Sequence, residues 1–68
     1  MKQLYKHGNR EAYQLADGRE FIIEEYAGYY HLYHMVDNKR YPIYQNASYA
    51  RCYDFICSAD VQCTEHLE

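Results

Sequence analysis

The sequence has no tryptophan, one proline and three glycines, and only twelve of its 68 residues are Leu, Ile, Val or Phe. So few aliphatic side chains exclude a thick core. In a highly charged chain the same shortage would signal disorder. The net charge is only −3, and ten tyrosines fill the gap. A tyrosine can bury its ring while its hydroxyl stays hydrated or paired. The expectation is a single domain over residues 1–68 with a thin, tyrosine-supplemented core. At this size a staple or a partner often adds stability.

Other features are missing too. No apolar run approaches the length of a membrane span. No apolar stretch follows the basic start Met1-Lys2-Gln3-Leu4-Tyr5-Lys6-His7, so neither a secretory signal nor a membrane partner is expected. Cysteine is confined to Cys52, Cys57 and Cys63. An odd count without a signal points to reduced thiols and a cytoplasmic protein. There is no glycine-rich phosphate loop. Leu67-Glu68 has the look of a cloning remnant and carries no weight.

The pattern along the chain predicts an α+β fold, a three- to four-stranded antiparallel β-meander packed on one C-terminal helix. The first hairpin is the clearest element. A two-residue Asp17-Gly18 loop would split the apolar residues between faces. A three-residue loop, Ala16-Asp17-Gly18, pairs Leu15 with Arg19 and Tyr13 with Phe21. Tyr13, Leu15, Phe21 and Ile23 then share one face, and Gln14, Glu20 and Glu24 the other. Turns follow at Tyr26-Ala27-Gly28-Tyr29 and Asp37-Asn38-Lys39-Arg40. Between them, Tyr30–Val36 is apolar or aromatic on both faces, with Tyr30, Leu32, His34 and Val36 toward the core. Tyr41-Pro42-Ile43-Tyr44 reads as a short edge strand, because Pro42 cannot donate to a ladder. Residues 1–10 are ambiguous between a short strand and a helical turn.

From Asn46, a plausible N-cap, the period changes to that of a helix over 47–59. Tyr49, Cys52, Ile56 and Ala59 form a stripe that can close one sheet face, with Phe55 at its flank. The expected core is Tyr13, Leu15, Phe21, Ile23, Leu32, Cys52, Phe55 and Ile56.

Cys52, Cys57, Cys63 and His66 raise a zinc reading, but their spacing does not favour it. Thiolate pairs in zinc sites sit two to four residues apart at a knuckle, whereas on a helix Cys52 and Cys57 diverge by about 140°. No metal and no cofactor is expected. His31 and His34 point to opposite faces of one strand, as do Glu24 and Glu25, so neither pair makes a chelate or an acid–base couple. No enzyme activity is expected.

One feature points to function. Ile22, Tyr29, His31, Tyr33 and Met35 lie on the sheet face opposite the helix, and an aromatic face of this kind marks interfaces. The expected role is a protein-interaction module that binds a protein partner or a second copy, as a homodimer, inhibitor or adaptor. The alternative is a nucleic-acid-binding βββα module, similar in architecture to integrase arm-binding domains. Fold alone does not fix function, and Glu20, Glu24 and the negative net charge oppose a phosphate-tracking surface.

Overall fold

The computed structural model describes residues 1–59. Five strands, β1 (Lys2–His7), β2 (Arg10–Gln14), β3 (Glu20–Tyr26), β4 (Tyr29–Val36) and β5 (Lys39–Asn46), form one sheet in chain order. All neighbours are antiparallel. Helix α1 (Tyr49–Ala59) packs on one face. The fold is therefore α+β, with five strands rather than the three or four expected. The additional strand comes from the ambiguous N-terminal residues. β1 is exposed along its whole length, so it carries no apolar alternation to reveal it. Its pairing with β2 holds it in place.

The first hairpin has the expected register, with Tyr13 opposite Phe21. Leu15 N–H donates to the Arg19 carbonyl at 2.8 Å, and Gly18 N–H to the Leu15 carbonyl at 3.0 Å. Gly18 sits at φ +96°, a conformation that favours glycine. The next two hairpins turn on Ala27-Gly28 and Asp37-Asn38, all four at positive φ. Two-residue loops adopt this left-handed pair to match the strand twist.

Both edge strands are bulged. β1 carries an extra residue between Gln3 and Tyr5, and β5 an extra residue between Pro42 and Tyr44. A bulge bends the edge and interrupts the row of backbone groups that another strand could pair with, and Pro42 removes a donor as well.

Helix α1 begins two residues later than expected. Asn46 Oδ1 accepts the Ser48 N–H at 2.9 Å, a local turn that delays the first helical residue to Tyr49. At the other end, Arg19 Nη2 donates to the Ala59 carbonyl at 2.6 Å. That bond ties the helix to the first hairpin and satisfies a carbonyl near the helix end.

The core is Tyr13, Leu15, Phe21, Ile23, Leu32, Cys52 and Ile56, with Tyr30, Tyr44, Tyr49 and Tyr53 packed against it. Phe55, expected in the core, is 40% exposed. It overhangs the edge strand and stacks on Tyr44, ring centroids 5.1 Å apart, so one side of its ring faces water. Val36, also expected on the core face, is exposed at the end of β4, while His34 stacks on Phe21 at 4.9 Å.

Candidate functional site

Strand register stacks the side chains of the face opposite α1 into rows. The first row holds Lys2, Gln14, Glu20, Met35 and Arg40. The second holds Tyr5, Ala12, Ile22, Tyr33 and Pro42, and the third His7, Arg10, Glu24, His31 and Gln45. Tyr26 and Tyr29 end the face at the β3–β4 turn.

The middle row is apolar, and its centre is closed although no helix among the described residues lies over it. Ala12 is buried, and Ile22 is only 5% exposed. Arg40 lies across the neighbouring end of this row. From the first row its guanidinium crosses the Tyr33 ring, 4.8 Å from the centroid, and donates from Nη1 to Glu24 Oε1 in the third row at 3.3 Å. The arginine is thus a strap over the apolar row, with its stem on the sheet and its head on a carboxylate. Arg10 reaches the other oxygen of Glu24. Its Nε and Nη2 donate to Oε2 at 3.0 and 2.7 Å. The hydrogen bonds and charge of Arg10, with a smaller contribution from Arg40, hold the Glu24 carboxyl below the usual glutamate range.

The five residues expected to form an open patch therefore divide. Ile22 is core, buried from its own face. His31, Tyr33 and Met35 are half-buried, and His31 Nε2 lies 3.3 Å from the Tyr26 carbonyl. Tyr29 is open at 48%, and its neighbour across the turn, Tyr26, at 71%. Long side chains lie across this face: Arg10, from the ten N-terminal residues, and Arg40, from β5. The residues missed by sequence reasoning are Arg10, Arg40 and Tyr26. Continuing the β2–β3 register by two pairs beyond Ala12–Ile22 would have placed Arg10 opposite Glu24. No sequence signal links Arg40 to Glu24.

Comparison with known proteins returns no match: no protein-family model, no curated protein and no solved structure is similar to this chain.

On the helix side, α1 is about 16 Å long, and among the described residues nothing packs over one end of the sheet. A shallow groove of about 330 Å³ opens there, lined by Lys6, Glu11, Ile23, Glu25, Tyr30 and Tyr49 among others. Its acidic wall is partly self-paired. Glu11 takes the Tyr13 hydroxyl at 3.2 Å and lies 3.5 Å from Lys6 Nζ. The Tyr13 and Tyr49 hydroxyls are 2.7 Å apart. Burial, and the bond to Tyr13, push the Tyr49 phenol far above its ordinary value. These two tyrosines are proton-holding groups that lock the helix to β2.

His31 and His34 face opposite sides of β4, and Glu24 and Glu25 opposite sides of β3, as expected. Among the described residues no group of three or more His, Cys, Asp or Glu is arranged to hold a metal ion. Cys52 is buried and donates to the Tyr30 carbonyl at 3.5 Å. Cys63 and His66, the other half of the zinc reading, lie outside the described residues. No helix among the described residues is long and apolar enough to cross a membrane.

Proposed function

We propose that this chain is a small non-enzymatic interaction module that docks a protein on the sheet face opposite its helix. The observation that carries the reading is the pairing of a self-supported face with an exposed aromatic margin. Arg40, Glu24 and Arg10 brace the surface from above, while Tyr26 and Tyr29 stand open beside it. A braced surface loses little conformational freedom on binding, and tyrosine offers contact area at low entropic cost. The bulged edges disfavour strand addition, so the face is the better site. Tyr29, Tyr33, His31 and Met35 supply the contacts, and Ile22 supports them from beneath. A cytoplasmic setting fits the buried free thiol of Cys52.

A second reading is supported by Arg10, Arg40 and Lys2, which share this face with four tyrosines, as a single-stranded nucleic-acid platform would require. It ranks lower because the chain carries a net charge of −3 and Glu20 sits in the first row, both of which repel a polyanion.

The test is Tyr29→Glu and Tyr33→Glu. Each variant should keep the wild-type circular dichroism. Each should lose whatever association light scattering and cell-lysate capture detect with the parent chain. A variant that unfolds would place the face in the core, and one that captures the same proteins as the parent would move the interface elsewhere.

A further inference from the structure

We infer that the partner presents an acidic segment to this face, its carboxylates pairing with Arg10 and Arg40 beside the exposed tyrosines. The inference rests on the docking reading above and gives the partner its chemistry.

Charge is distributed unevenly through the molecule. The chain as a whole carries −3, from Asp60, Glu65 and Glu68, while residues 1–59 hold equal numbers of basic and acidic side chains. The open face runs against that balance, with Lys2, Arg10 and Arg40 set against Glu20 and Glu24. Depth sharpens the contrast. The side chains of Arg10 and Arg40 are each 42% exposed, and that of Glu24 only 16%. The carboxylate lies beneath and the guanidinia lie outside, so an approaching surface meets two cations.

Those cations are also under-used. Two guanidinium groups carry ten N–H donors; Glu24 takes three hydrogen bonds from them and Tyr5 also bonds Arg10, so donors remain. One carboxylate cannot neutralise two arginines, so the trio keeps a positive charge. A second carboxylate would complete it. Arginine suits this role because its planar fork binds carboxylates in pairs of parallel bonds. Tyr26 and Tyr29 beside the trio favour a segment in which acidic residues alternate with apolar or aromatic ones.

The experiment uses the full isotope-labelled chain and four probes followed by amide chemical shifts. One is a synthetic peptide alternating Glu and Tyr. The second has Gln for every Glu, the third Lys, and the fourth is a single-stranded oligothymidylate. The Glu peptide should shift Arg10, Glu24, Tyr29, Tyr33 and Arg40. Its affinity should fall about tenfold for the Gln peptide, the loss expected for one charge-assisted pair, and fall similarly in Arg10→Ala/Arg40→Ala. Should that double variant fail to fold, Glu24→Gln serves in its place. It removes the competing carboxylate, so the preference for the Glu over the Gln peptide should widen even if loss of the brace weakens both; an unchanged or smaller preference overturns the pairing with these arginines. Equal affinity for the Gln or Lys peptide at this face overturns the acidic partner and leaves the docking surface standing. Tighter binding of the oligothymidylate overturns it in favour of nucleic acid. Shifts confined to another surface overturn it as well, and the Tyr29 and Tyr33 variants then decide the docking reading separately.

Discussion

Arg40 and Glu24 belong to different rows of the open sheet face, yet the arginine spans the apolar row between them to donate its hydrogen bond at 3.3 Å. The Tyr33 ring lies under its guanidinium. This reach ties the outer strand β5 to β3 across the Tyr33 ring on the face opposite the helix.

Arg40→Ala should therefore expose the middle row. Cation–π and surface ion-pair contributions together put the loss at about 1 kcal/mol. Hydrogen exchange at Ile22 and Tyr33 should quicken more than exchange at Ile23, which the helix covers. Arg40→Lys should recover part of the protection through its stem and charge. Equal protection in all three proteins would show that the strap does not shield the row.

Glu24 links the same contacts to acid stability. Its carboxyl titrates lower in the folded chain than in the unfolded one. The stabilisation is complete above the unfolded value, about 4.3, and is lost as pH falls through the lowered folded value. Glu24→Gln should be less stable than the parent at neutral pH, and the two should converge in acid. Denaturant midpoints measured across that range check the sign.

At alkaline pH Tyr49 acts in the opposite sense. Its phenol is raised in the fold, so its contribution is present below the unfolded value, about 10, and declines as pH rises above it. Tyrosinate absorbance should show Tyr49 titrating late, together with unfolding. Tyr49→Phe should remove that late step. It should also unfold at lower denaturant, because the Tyr13 hydroxyl loses its shortest hydrogen bond, at 2.7 Å.

The helix flank separates a core residue from an edge residue adjacent to it in sequence. Ile56 is fully buried and Phe55 is 40% exposed. Ile56→Ala should cost about 2–5 kcal/mol, as should Ile23→Ala, because each leaves a cavity. Phe55→Ala should cost about 1 kcal/mol, the loss of one stacked contact on Tyr44. Equal losses at 55 and 56 would return Phe55 to the core.

Ala27 occupies the left-handed region at φ +55° beside Gly28 at +82°. A residue with a Cβ is strained there by about 1 kcal/mol or more. Ala27→Gly should relieve the strain, and Ala27→Asn should do so without glycine's entropic cost. A higher melting temperature for either variant is the expected outcome.

The order of residues by itself determined the face of each central strand, because side chains alternate with a period of two. Tyr13, Leu15, Phe21, Ile23 and Leu32 were legible as core on that ground. So was the first hairpin, since only a three-residue loop keeps its apolar set on one face. The helix stripe of Cys52 and Ile56 was legible from its longer period. Alternation does not report how strands lie side by side or how far a long side chain reaches, and those were decided in three dimensions. β1 joined the sheet through backbone pairing, which leaves little trace in an exposed strand. Phe55 moved to the rim because the sheet edge lies beneath that flank of the helix. Arg40, eighteen residues from Ile22 in sequence, came to lie over the Tyr33 ring in the same row, on a glutamate that a second arginine also holds, because strand pairing and side-chain length bring together what alternation cannot.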